Sequence, residues 1–161
     1  MRAIEVPVHL LQQIGAHARV AYPEECCGFL IARPEDSGRP GVRTLVRSIQ
    51  GANEFDGERR RRFLLRPEEL RAVESGLDPV RERLAGFYHS HPDHPPRPSQ
   101  FDQDHAWPWY AYLVVGIDAR SLGQMRGFEL EPETAEFREV PLRKGVATPR
   151  TAPLATVVGR D

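Results

Sequence analysis

The chain has 161 residues, of which 22 are Lys or Arg and 23 are Asp or Glu, for a formal net charge of -1. That length fits a single domain burying about two thirds of its unfolded surface, so neither a disulfide nor a metal is needed merely to fold. The balanced charge excludes a global drive toward nucleic acid or an anionic membrane surface, and leaves partner choice to local features. Only two cysteines occur, adjacent as Cys26 and Cys27, which excludes a disulfide framework and points to a reducing cytoplasm. Residues 1–9 lack an apolar signal core, and no run approaches the ~18 apolar residues of a membrane span. A soluble, cytoplasmic protein with no membrane role is expected.

In chain order, residues 2–6 read as a short strand. Leu10, Leu11, Ile14, Ala18 and Ala21 then recur at helical spacing until Pro23 blocks continuation. Residues 27–32 and 42–49 read as two strands of an antiparallel hairpin, separated by a turn rich in Pro, Gly and Asp. After a charged stretch Pro67 opens a second helix, with Glu68 and Glu69 favoured in its first turn, Leu70, Val73 and Leu77 on its apolar side, and Pro79 limiting its length. Residues 84–91 form a strand, 99–107 a short helix and 110–117 a continuous apolar strand, with Trp107, Trp109 and Tyr110 leading into that strand as core. Two final strands cover residues 124–130 and 135–140. This order predicts an α/β class in the α+β sense, a mixed and mostly antiparallel sheet flanked by helices, in one domain over residues 1–141. From Leu142 onward the chain shows no periodicity, and residues 142–161 read as a flexible tail.

The chemistry concentrates between Gly86 and Asp102. His89 and His91 alternate with Ser90, so on an extended backbone both imidazoles project from one face of the strand. Seven residues, rich in proline, separate His91 from Ser99, and Asp102 follows three positions later, about one helical turn on. Two imidazoles and a carboxylate suit a zinc ion with one coordination position left open, the arrangement that separates catalytic from structural sites. A hydrolytic centre also needs a base, and Glu24 and Glu25, just before the strand at 27–32, are the candidates.

This pattern resembles the JAMM (MPN+) zinc metalloprotease family. Its signature is a Glu beside a Cys-Gly strand, then His-x-His-Pro, then Ser and Asp at the spacing found here. The resemblance implies Glu25, rather than Glu24, as general base, His89, His91 and Asp102 as ligands of one zinc per chain, and Ser99 as the residue that helps stabilise the tetrahedral intermediate. It also implies an MPN/JAB-like, cytidine-deaminase-like fold of the compact prokaryotic type. The implied activity is hydrolysis of an amide bond at the C-terminal Gly-Gly tail of a ubiquitin-like or sulfur-carrier protein or its conjugate. A tail of that kind could add as a strand at a sheet edge near the histidines.

Other readings bear on the same residues. Ser99 and Asp102 also fit a capping box at a helix start, a role that competes for the Asp102 oxygens. His94 and His105 are extra imidazoles, read as an exposed loop residue and a helix residue rather than further ligands. Cys26 and Cys27 point to opposite faces of a strand and read as buried packing thiols. The run Arg59 to Arg62 reads as a solvated loop or, in a functional role, a docking surface for an acidic partner, or for nucleic acid if Trp107, Trp109 and Tyr110 lie beside it. Rival functions are a noncatalytic MPN-type scaffold, a RadC-like protein associated with nucleic acid, and a non-haem iron oxygenase, in which Glu25 and Ser99 would have no part.

Overall fold

The computed structural model describes residues 1–35 and 38–145. β1 (Ala3–Pro7) runs directly into α1 (Val8–Ala21), whose buried residues Leu10, Ile14, Gly15 and Ala18 form the expected stripe. β2 (Cys27–Ala32) is buried along its whole length and forms an antiparallel pair with β3 (Val42–Gly51). α2 (Pro67–Ser75) begins at Pro67 as expected, but it ends at Gly76, short of Pro79. β4 (Arg83–Pro92) carries the histidines, α3 (Gln100–His105) follows, and β5 (Ala111–Ile117) then pairs parallel to β4. β6 (Leu122–Leu130) and β7 (Phe137–Val140) add antiparallel strands.

One eight-stranded mixed sheet results, in the order β7-β6-β5-β4-β2-β3-β1-β8. It curls far enough to bring its two ends together: the Met1 ammonium lies 2.7 Å from a Glu129 carboxylate oxygen, and the Arg138 guanidinium donates to the Met1 carbonyl. The sheet has two apolar faces. One packs Leu10, Ile14 and Ala18 of α1 against Leu30, Tyr88, Leu113 and Val115. The other gathers Phe29, Phe87, Tyr112, Val114 and Phe128, with Leu70 and Val73 of α2 at its margin. Since alternate strand residues share a face, Phe87 places His89 and His91 on this second face and Tyr88 places Ser90 on the first. Gly86 makes that placement possible. Its φ is 155°, and a Cβ there would stand 1.8 Å from the Ala111 carbonyl oxygen, where the parallel β4–β5 ladder begins.

Three expectations need correction. The folded part does not end at residue 141: β8 (Leu142–Gly145) pairs parallel with β1, from Ile4 opposite Leu142 to Pro7 opposite Gly145. Four residues with two adjacent charges carry no readable period, and the strand is held by backbone bonds to β1 with Leu142 packed against the core. The remainder of the expected tail, residues 146–161, lies outside the described residues. Next, Trp107 and Trp109 do not enter the core; they are 52% and 72% exposed. Pro108 and the left-handed Trp109, with φ at 70°, make a turn that ends before β5 begins at Ala111. Last, among the described residues no free sheet edge lies beside the histidines: β2 and β5 occupy both sides of β4, and the end strands are β7 and β8.

Candidate metal centre

His89 and His91 are both buried, and their Nε2 atoms lie 3.0 Å apart. Each Nε2 is 3.4 Å from Asp102 Oδ2. Four ligands tetrahedrally around zinc at about 2.0–2.1 Å stand about 3.3 Å from one another, so these separations match three corners of such a site. His91 Nδ1 is 3.0 Å from the Pro95 carbonyl oxygen, which only accepts. Nδ1 therefore carries the proton, and Nε2 turns a lone pair toward His89 and Asp102. Three potential donor atoms converging from three side chains suit a cation at their centre. Among the described residues, His89, His91 and Asp102 are the group arranged to hold a metal ion. His94 is exposed on its loop, and His105 is exposed on α3 with Nδ1 2.8 Å from the Phe101 carbonyl oxygen, so neither joins them.

Asp102 arrives through α3. Ser99 is the N-cap, its hydroxyl accepting from the Asp102 N–H at 3.1 Å, while Asp102 Oδ2 accepts from the Ser99 N–H. The Ser99 hydroxyl also donates to Oδ2 at 2.7 Å. The capping and ligating roles thus coincide on one oxygen, because the cap aims Oδ2 at the imidazoles. Burial works against the charge of Asp102, but His89, His91 and the Ser99 N–H outweigh it and hold the carboxyl far below the usual carboxylate range.

Glu25 lies just upstream of β2. Cys27 is opposite His89, so continuing the antiparallel register sets residue 25 across from His91. Two bonds extend the ladder to that point: the Ser90 N–H donates to the Cys26 carbonyl at 3.0 Å, and the Cys26 N–H donates to the Ser90 hydroxyl at 2.9 Å. The Glu25 side chain is buried, with Oε2 lacking any hydrogen-bond partner. Burial pushes its carboxyl up to about 8; His91 opposes this and Asp102 adds to it. A buried carboxylate without a donor is costly unless something polar comes to it. Cys26 and Cys27 are buried free thiols as expected, with burial pushing Cys26 up to about 11.

The charged stretch before α2 proves to belong to this site. The Glu25 N–H donates to the Arg59 carbonyl at 2.8 Å, and the Asn53 amide donates to the carbonyls of Glu25 and Arg62. Phe63 stacks on the His89 ring with centroids 4.7 Å apart and planes 25° from parallel. The Arg62 guanidinium lies 4.8 Å from the centroid of Phe101, in the helix that carries Asp102, and 5.8 Å from that of Phe55. Sequence reasoning missed Asn53, Phe63 and Ser90. For Phe63 the only signal was a lone aromatic closing a charged run; for Ser90 it was its place between two histidines of a strand, which aims it at the opposite face.

Comparisons with known proteins bear on the family of the chain. The family described as prokaryotic homologs of the JAB domain matches residues 7–130. The chain is 34% identical over 119 residues to a desampylase of Haloferax volcanii, across 73% of this chain and 76% of that one. Two solution structures are also similar. One, of a protein from Desulfitobacterium hafniense, has a TM-score of 0.67 at 26% identity and covers 89% of this chain and 94% of that one. The other, of a protein from Salinibacter ruber, has a TM-score of 0.63 at 30% identity and covers 96% and 95%. With its motif strand, its converging His/His/Asp group and a match over most of its length, this chain belongs to the prokaryotic JAB domain family.

Proposed function

We propose that this chain is a zinc-dependent isopeptidase or peptidase that hydrolyses an amide bond at the C-terminal Gly-Gly tail of a ubiquitin-like or sulfur-carrier protein, or of its conjugate. The observation that carries the reading is the convergence of three ligand atoms beside a buried carboxylate that has no partner of its own. The desampylase relative supports a ubiquitin-like conjugate as substrate.

His89, His91 and Asp102 hold the ion in this reading. Zinc, when bound, supplies an electrophile for the scissile carbonyl and lowers the pKa of a water to about 7. Glu25 takes the proton from the attacking water and passes it to the departing amine nitrogen. Its burial serves that task, since a carboxylate in a dry pocket is a stronger base than one in water. Ser99 rests with its hydroxyl on Asp102; turned to the substrate, it donates to the carbonyl oxygen as negative charge develops there. The Ser99 N–H holds Asp102 Oδ2 through that change. The two buried thiols fit work in a reducing cytoplasm, and no described helix is long and apolar enough to cross a membrane.

The test joins metal content to cleavage. The purified protein should carry one zinc per chain and should cut a carrier protein fused through its Gly-Gly tail to a reporter, with activity lost to a chelator and restored by zinc. Protein that folds, binds no zinc and cuts no such fusion would instead be a noncatalytic scaffold.

A further inference from the structure

The four consecutive arginines divide into two pairs. Arg59 donates from Nε to the Phe55 carbonyl at 2.9 Å, and Arg62 lies over the rings of Phe55 and Phe101. Arg60 and Arg61 are exposed, and among the described residues their guanidiniums have neither a hydrogen bond nor an ion pair. Glu58 accepts from the Arg60 backbone N–H at 3.2 Å, and Glu54 is paired with Arg66. The backbone on either side of the exposed pair is fixed to Glu25, through the Arg59 carbonyl directly and through the Arg62 carbonyl by way of Asn53. Two cations without an ion pair among the described residues are therefore held on a pinned loop beside Glu25, in a chain whose formal net charge is only -1.

We propose that Arg60 and Arg61 form a cationic rim on the Glu25 side of the candidate metal centre that docks an acidic face of the ubiquitin-like protein whose tail enters the site; this deepens, and rests on, the function proposed above. Cations fixed at the edge of a cleft steer an oppositely charged partner and set its orientation more than they add to the chemical step. A protein partner fits better than nucleic acid. Trp107 packs edge-on against Phe87 and Trp109 lines a pocket with Arg83, Leu84 and Ala85 at the start of β4, so neither tryptophan accompanies the run; of the rings that do, Phe55 and Phe101 lie under the Arg62 guanidinium and Phe63 is stacked on His89. Two phosphate contacts would also give a salt dependence of only about two ions, too few for useful affinity.

The test measures binding apart from turnover. A fluorescently labelled ubiquitin-like protein with an acidic surface and an intact Gly-Gly tail is titrated with zinc-loaded protein, and a short Gly-Gly peptide bearing a fluorogenic amide reports the chemistry. Replacing both Arg60→Glu and Arg61→Glu should raise Kd for the labelled protein about tenfold and abolish most of its salt dependence. The paired replacement Arg19→Glu with Arg81→Glu, on other surfaces, should leave Kd within about twofold. A carrier with its acidic face converted to lysine should bind the arginine-free rim better than the native one. Unchanged Kd in the rim variant overturns the proposal, as does a rim variant whose only loss is affinity for a single-stranded oligonucleotide. Failure of the wild-type protein to cleave either probe counts against the proposed hydrolysis alone, since the binding titration still decides the rim.

Discussion

Glu25, His89 and His91 are placed from the middle of the sheet, the histidines on paired backbone and Glu25 two residues before β2, whereas Asp102, Ser99 and Phe63 come from a six-residue helix and a loop without regular structure. The two halves are made precise by different means. On the sheet side, ladder bonds from β2 and β5 fix β4, and side-chain direction follows from the pleat. On the loop side, each placement depends on a few side-chain contacts: the Ser99 cap, the Phe63 stack and the Arg62 contact with Phe101. The histidines show the same contrast in miniature. His91 Nδ1 is tethered to a carbonyl, while His89 Nδ1 is buried without a partner and its ring is held by Phe63. The sheet half thus places the candidate base and two candidate ligands, and a loop assembly completes the site around them.

The largest effect should come from the sheet half. Glu25→Gln keeps the shape and removes the base, so turnover of a Gly-Gly fusion should fall between about 10²- and 10⁴-fold with zinc content unchanged. Near wild-type turnover in this variant would remove Glu25 from the chemistry.

Next in size is loss of a ligand from each half. His91→Ala and Asp102→Asn should each weaken zinc binding at least about a hundredfold, read by competition with a chelator dye. Asp102→Asn separates the two roles of that residue. An amide oxygen still accepts from the Ser99 N–H, so helicity and thermal stability should persist while affinity drops. If affinity instead survives, the carboxylate is a cap and not a ligand.

Phe63 tests the loop half more gently. Phe63→Ala should weaken zinc binding roughly tenfold, in the range of contacts that orient a ligand from behind, and Phe63→Tyr should restore it. The visible spectrum of the cobalt-substituted protein should shift in the alanine variant, because the His89 ring loses its support.

Legibility divided along the same line. Residues 27–32 were readable as a strand because an unbroken apolar run is bounded by chain breakers, and the alternation of His89 and His91 gave their common face from period alone. Ser99 and Asp102 were legible through spacing and family resemblance, but the sharing of Oδ2 between cap and imidazoles was not, since it depends on where α3 sits relative to β4. The loop of residues 52–66 looked like a solvated charged stretch because its links to Glu25 run through the backbone carbonyls of Arg59 and Arg62, which any residue possesses. Trp107 and Trp109 misled for a related reason: their size argued for core, and Pro108 with a left-handed backbone at Trp109 placed them outside it. Backbone bonds between distant segments leave no mark on composition or period.

A smaller effect separates the rigidity of the sheet half from its chemistry. Ser90→Ala leaves the buried Cys26 N–H without its acceptor, which should cost about 1–3 kcal/mol in the free energy of unfolding by denaturant. Zinc affinity should change little, because Ser90 faces away from the imidazoles. A loss of affinity as large as that of Phe63→Ala would mean the sheet half is no stiffer than the loop half.

The smallest effect lies at the far end of the same strands, where Arg47 of β3 donates from Nε and from a terminal nitrogen to the two oxygens of Glu82 at 2.6 and 2.9 Å, just before β4 begins. The Arg47 hydrogen bonds, working against burial, draw the Glu82 carboxyl from an ordinary 4.5 down to about 2. A carboxyl lowered in the folded state stabilises fully above its unfolded value, and the contribution fades as pH falls from about 4.5 toward 2, where both states take up the proton. The Arg47 side chain is 40% exposed, so water screens the pair and its contribution should stay below about 1 kcal/mol. Glu82→Gln should therefore lower stability slightly at pH 7, by an amount that shrinks with added salt, and should converge with the wild type below about pH 2. Metal affinity should not move. Ile31 sits opposite Arg47 on one side of β2 and Leu84 on the other, whereas Cys27, four residues away, faces His89, and the ladder between them holds the histidines whether or not this outer pair forms.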